Sequence, residues 1–116
     1  SLELGGKSPN IIFADADLEL AAASSPMSVF ANTGQDCCAR SRVFIERSIY
    51  EPFVEKFVAA TKKLIVGDPT KPETQLGPMV SAGQRASVEE FLADARACGA
   101  PGRGQPHCGQ PRRGAR

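Results

Sequence analysis

Two cysteines stand side by side in "ANTGQDCCAR", residues 31–40, after a Gly-Gln-Asp turn and just ahead of an apolar run of strand length. A cysteine attacks carbonyl carbon as the thiolate, which requires partial exposure and positive charge or N–H donors nearby. A loop between a helix end and a strand can supply these. It presents the Cys37 side chain and its own N–H into a crevice, where that N–H helps to hold a developing oxyanion. Arg40 and Arg42 add local positive charge. Burial of Cys37 and Cys38 as small hydrophobes is the commoner fate of free cysteine, and composition alone favours it.

The other reactive groups carry less. Glu3 precedes Gly5 and Gly6, which let a backbone approach a ligand closely, yet on spacing alone it reads as a solvated acid. The "GGKS" at residues 5–8 is the end of a phosphate-loop pattern that needs Gly where Ser1 stands and a helix after Ser8. Pro9 and the apolar run at residues 11–13 exclude it. His107 is the only histidine and lies in the segment with least structure, which disfavours a cysteine-histidine hydrolase. Cys98, His107 and Cys108 lack the pairing distances of a zinc site, and no residue is assigned to a metal.

The elements that must position these groups follow from pattern. Ile11, Ile12 and Phe13 make a short buried strand, after which Asp15 or Asp17 N-caps a helix running towards Phe30. Pro26 must kink or split that helix, and Gly34 in the left-handed region ends it near residues 32–34. Val43, Phe44 and Ile45 form the second strand, followed by a capping-box spacing at Ser48 and Glu51. The second helix carries Phe53, Phe57, Val58, Leu64 and Ile65 on one face and closes at Gly67. After a Pro/Gly-rich connector, Ser81 and Gln84 repeat the capping-box spacing, and Val88, Phe91, Leu92 and Ala95 mark helix three. The order strand, helix, strand, helix, helix predicts an α/β layer with a parallel sheet, and two strands leave that layer incomplete.

Composition sets the outer bounds. The 116 residues allow one core, and they carry a net charge of +1. Residues 101–116 hold four arginines and no acid, so residues 1–100 alone stand at −3. This body has no basic stripe for nucleic acid and no apolar run near the roughly 18 residues of a membrane span. The cysteines show no disulfide framework, which points to a reducing, cytoplasmic setting. Without an initiator Met, the chain is expected to be a piece of something larger. Residues 101–116 contain no Leu, Ile, Val, Phe or Tyr, so they are expected to be a disordered or frame-shifted tail after a domain at residues 1–100.

Taken together, "LELGGKSPNIIFADADLELA" and "FANTGQDCCARSRVFIERSIYEPFVEKF" resemble the aldehyde dehydrogenase superfamily, and "VGDP" and "QLGPMVS" match it too. The resemblance covers roughly residues 1–100. It implies part of the Rossmann-like catalytic domain of that fold, with the glutamate signature on Glu3, Leu4, Gly5 and Gly6, of which Glu3, Leu4 and Gly5 bind the cofactor. The cysteine signature falls on Gly34, Gln35 and Cys37, which makes Cys37 the nucleophile, with Asp36 and Cys38 flanking the substrate tunnel. NAD or NADP is the implied cofactor, an aldehyde the small-molecule substrate, and a homo-oligomer the state of the parent protein. Glu3 is the implied general base that activates water against a thioester. The amide that completes the oxyanion hole and the main dinucleotide-binding residues are not among those matched. The isolated chain is therefore expected to be inactive and only partly folded. Two other readings stay open: a non-enzymatic remnant that binds partners, and a thiol hydrolase or redox protein using Cys37 and Cys38.

Overall fold

A computed structural model of the chain describes residue 2 and residues 4–99. The boundary expected at Ala100 and the tail at residues 101–116 lie outside them. The described elements run in the order expected from pattern. Strand β1 (Pro9–Ile12) is followed by helix α1 (Leu18–Phe30), strand β2 (Arg42–Ile45), helix α2 (Tyr50–Thr61) and helix α3 (Ala82–Ala97). The two strands are parallel, with Pro9 opposite Arg42 and Ile12 opposite Ile45. A parallel pair requires a crossover, and α1 provides it.

Because side chains alternate along a strand, the pair has two unlike faces. Ile12 is buried and Val43 and Ile45 are half-buried on the side that meets the helices. There Ile12, Ala22 and Phe53 form the core, with Leu18, Ala21, Ile49 and Phe57 packed around it. Phe53 is 1% exposed and stacks on Phe57 with ring centroids 6.0 Å apart. Burial of one such ring contributes about 1.5–3 kcal/mol, so Phe53 is the main apolar anchor of this small core. An ion pair between Lys56 and Glu19 joins α2 to α1 at the surface. On the other face Ile11 is 58% exposed, Phe13 62% and Phe44 51%.

Asp17 is the N-cap of α1, its carboxylate accepting the Leu20 N–H at 3.0 Å. Pro26 does not split the helix, which continues through it to Phe30. Proline deprives the helix of one N–H, and the neighbouring hydroxyls supply bonds of their own to this stretch. Ser24 donates to the Leu20 carbonyl at 2.8 Å, Ser25 to the Ala21 carbonyl at 2.6 Å, and Asn10 of β1 donates to Ser25 at 2.9 Å.

Two expectations at helix ends are corrected. The Ser48–Glu51 capping box does not form, because Ser48 donates instead to the Glu46 carboxylate at 3.0 Å and a 3-10 turn (Arg47–Ile49) leads into α2. Helix α2 stops at Thr61, six residues before Gly67. Leu64 and Ile65 are thus outside the helix, and residues 65–67 turn back to pair with Gln75 and Leu76 through the Val66–Leu76 bridge. Gly67 serves that bridge, donating to the Leu76 carbonyl at 3.0 Å. Residues up to Met79 form one compact unit, and α3 belongs to the next. In α3 the expected cap is present: Ser81 Oγ accepts the Gln84 N–H at 3.1 Å. Arg85 and Glu89 pair at 2.8 Å, and none of the described side chains of α3 is buried.

Candidate active site

The cysteine loop begins where α1 gives way to a 3-10 turn (Ala31–Gly34). Three consecutive residues there are left-handed: Asn32 at φ 51°, Thr33 at 59° and Gly34 at 74°. Glycine adopts this conformation freely and asparagine tolerates it, but a β-branched threonine in this region is an outlier costing about 1–3 kcal/mol. The surrounding bonds hold it. Thr33 Oγ1 donates to the Gly77 carbonyl at 2.9 Å, Asn32 Nδ2 to the Gln35 carbonyl at 2.9 Å, and Gln35 Nε2 to the Asn32 carbonyl at 3.1 Å. This fixes the backbone immediately ahead of Asp36 and Cys37.

Asp36 then shapes the turn that carries the thiols. Its Oδ1 accepts the Cys38 N–H at 3.0 Å and its carbonyl accepts the Ala39 N–H at 3.2 Å. Ala39 is buried, and the Arg40 N–H donates to the Ser28 carbonyl at 2.9 Å, anchoring the loop to α1. Cys37 and Cys38 are both exposed, with their sulfurs 3.7 Å apart. The burial that composition favoured for them is therefore overturned: the anchored residue is Ala39, and the turn projects its two predecessors outward.

The segment before β1 comes up against this loop. A Cβ built on Gly6 would overlap the Cys37 carbonyl oxygen and lie 3.3 Å from its carbonyl carbon, so only glycine fits there without a shift. Beside it, Arg42 Nε donates to the Lys7 carbonyl at 2.7 Å while its guanidinium lies 5.6 Å from the Phe44 ring centroid. The positive charge expected near the thiols from Arg42 is thus directed to Lys7 and Phe44. Gly6 and Cys37, far apart in sequence, meet at the amino ends of the two strands.

Glu3 lies outside the described residues. Leu4 is 85% exposed, and Gly5 takes φ 67° with nothing within 4 Å of where a Cβ would stand. A cavity of about 200 Å³ between β1 and α1 is lined by Asn10, Ser24, Ser25, Ser28 and Arg40. Neither cysteine lines it, and its serine hydroxyls already donate to helix carbonyls, so it is not assigned to the thiols.

Reasoning from sequence missed Thr33, Asn32 and the steric role of Gly6. Asn32 carried a signal, since asparagine is enriched among left-handed residues. Thr33 carried none, because its conformation opposes its own preference and is set by Gly77 across the fold.

The chain matches the model of the aldehyde dehydrogenase family over residues 1–112. It is 51% identical over 100 residues to retinal dehydrogenase 2 of Mus musculus, covering 86% of this chain and 19% of that protein. Over 100 residues it is 47% identical to betaine aldehyde dehydrogenase 1 of Rhizobium meliloti, covering 86% of this chain and 20% of the relative. Among solved structures it is similar to betaine aldehyde dehydrogenase from Staphylococcus aureus in complex with NAD+, with a TM-score of 0.80 and 38% identity, covering 84% of this chain and 19% of that one. The chain thus spans about a fifth of the length of the relatives it matches.

Proposed function

Since this chain belongs to the aldehyde dehydrogenase family, we propose that it supplies the nucleophile loop and the general-base segment of an enzyme that oxidises an aldehyde to a carboxylic acid with NAD+ or NADP+. The observation that carries the reading is the contact of Gly6 with the Cys37 backbone, which joins the two signature stretches at one place beside an exposed thiol.

Cys37, as thiolate, forms a bond to the aldehyde carbon while the carbonyl electrons move onto oxygen. The Cys37 N–H and a donor outside this chain hold that oxyanion. The nicotinamide ring, when bound, supplies the acceptor for the hydride whose departure leaves an acyl thioester on Cys37. Leu4 and Gly5 offer backbone for its approach. Glu3 as carboxylate then takes a proton from water as the water oxygen bonds to the acyl carbon. The carbon–sulfur bond breaks, the acid leaves, and Cys37 returns as thiolate. A glutamate at this place favours hydrolysis over transfer of the acyl group to coenzyme A. Asp36 and Cys38 border the route of the aldehyde, the complete enzyme is a cytoplasmic homo-oligomer, and the isolated chain is inactive.

The test is made in the complete enzyme that carries this segment. Cys37→Ser is expected to lower aldehyde-dependent reduction of the nucleotide by about 10³-fold or more. Glu3→Gln is expected to leave one burst of reduced nucleotide while steady turnover falls about 10²- to 10⁴-fold. Steady turnover surviving Cys37→Ser removes the nucleophile from this position. Turnover by the isolated chain, lost on Cys37→Ala, refutes its inactivity.

The open face of Ile11, Phe13 and Phe44 favours a second reading, a non-enzymatic piece that binds a partner. Such a module unfolds cooperatively on its own as a stable species, and a broad, non-cooperative transition excludes it.

A further inference from the structure

Beyond its place in aldehyde oxidation, the cysteine turn has the geometry of a chelate. Asp36, Cys37 and Cys38 are exposed neighbours whose ligand atoms all lie within 4.8 Å of one another. Two thiolates bound to one tetrahedral zinc, each at about 2.3 Å, stand about 3.8 Å apart. The Cys37 and Cys38 sulfurs already stand at 3.7 Å. Adjacent residues in an extended segment direct their side chains apart, so this separation is a property of the turn that Asp36 Oδ1 caps through the Cys38 N–H. A carboxylate oxygen of Asp36 already lies within 4.8 Å of both sulfurs, so the cap need not open for the third ligand.

We infer that Asp36, Cys37 and Cys38 form a binding site for a thiophilic divalent cation of the zinc or cadmium class, with two sulfur ligands, one carboxylate oxygen and a fourth position for water. The donor set selects against magnesium and calcium, which take oxygen ligands in larger number. Binding converts two thiols to thiolates and releases their two protons to solvent, with no change of oxidation state. The site rests on the turn alone, whereas its consequence for turnover rests on the role proposed above for Cys37. A metal on that sulfur removes the nucleophile, so the ion is a reversible inhibitor that chelators lift.

Cadmium is titrated into the full chain carrying Cys98→Ser, His107→Gln and Cys108→Ser, which removes the other thiols and the histidine. The readouts are the ultraviolet thiolate-to-metal absorption and proton release in weak buffer. One ion per chain and about two protons per ion are expected. Cys38→Ser is expected to weaken binding at least tenfold and Asp36→Asn about three- to tenfold, with binding at least tenfold tighter to the folded chain than to the chain in urea. A titration unchanged by Cys38→Ser, the absence of a thiolate-to-metal band, or equal affinity for the folded and urea-unfolded chains overturns the proposal. None of these readouts involves aldehyde or nucleotide, so a failure of the site and a failure of the catalytic reading are told apart.

Discussion

The two ends of the parallel strand pair are built in opposite ways. At the carboxyl end, Glu46 closes the structure: its N–H donates to the Ile12 carbonyl at 2.9 Å, and its carboxylate accepts the Ala14 N–H at 2.8 Å and the Ser48 hydroxyl at 3.0 Å. At the amino end the backbone is left-handed at Thr33, the glycine at position 6 is pressed against Cys37, and two thiols face solvent. Open α/β sheets of the doubly wound kind place ligands beyond the carboxyl ends of their strands. Here the polar lock occupies that end and the reactive groups occupy the other. The difference teaches that the architecture alone does not locate chemistry; the site has to be argued from its own residues.

The contrast can be broken at its common support. In the complete enzyme that carries this segment, Phe53→Ala removes the ring on which both strands rest, and a loss of about 3–5 kcal/mol is expected in urea unfolding, enough to erase both ends together. A loss under about 1 kcal/mol would mean that the core lies elsewhere. Gly6→Ala should act on the amino end alone. It forces the Cys37 carbonyl to move at a cost of about 1–3 kcal/mol and changes the rate at which Cys37 is alkylated, measured by mass spectrometry of the digested chain. Exchange of the Ala14 amide should stay as it was.

Glu46→Ala is the converse. With the acceptor gone, the Ala14 N–H loses its partner, stability falls by about 1–2 kcal/mol, and hydrogen exchange at Ala14 accelerates while Cys37 alkylation is unchanged. If either variant disturbs both ends equally, the two ends are not independent. The smallest effect belongs to neither end and serves as the reference. Asp68 accepts the Thr70 N–H at 2.9 Å and the Thr70 hydroxyl at 2.8 Å, which lowers its pKa from the ordinary 3.8. A lowered carboxylate pKa favours the fold above the unfolded value, so this contribution is present above about pH 4 and fades as the pH falls through the lowered one. In an NMR titration Asp68 should protonate below the ordinary aspartate value, and Thr70→Ala should bring it back towards that value without touching Cys37 or Ala14.

Both strands, all three helices and their order were legible because each rests on a local pattern: an apolar triplet, a capping residue, a period of 3.6. Of the triplet expected to be buried, though, only Ile12 is, since strand alternation turns Ile11 and Phe13 to the open face. The Asp17 and Ser81 caps followed for the same reason. What local pattern could not supply was competition from distant partners. Ser48 and Glu51 have the spacing of a capping box, yet Glu46 takes the Ser48 hydroxyl. Gly67 looks like a helix stop, yet the helix ends earlier because residues 65–67 pair with Gln75 and Leu76. At the site, composition alone favoured buried cysteines, and only the likeness of two whole stretches to a family singled out Cys37. That Gly6 touches Cys37 depends on strand pairing and could not be read from either stretch by itself.

Gly5 and Gly6 adjoin in sequence but answer to different constraints, and genetics should see them as different kinds of site. Every missense codon at position 6 adds at least one carbon where the Cys37 carbonyl already is, so alanine is no milder in kind than tryptophan and no chemistry of the replacement rescues it. At position 5 the same added carbon meets open space, and the penalty comes only from a backbone at φ 67°, which asparagine and aspartate bear better than valine or isoleucine. Saturation of both codons would therefore return an all-or-none profile at one glycine and, at the next, a ranking by tolerance of the left-handed region.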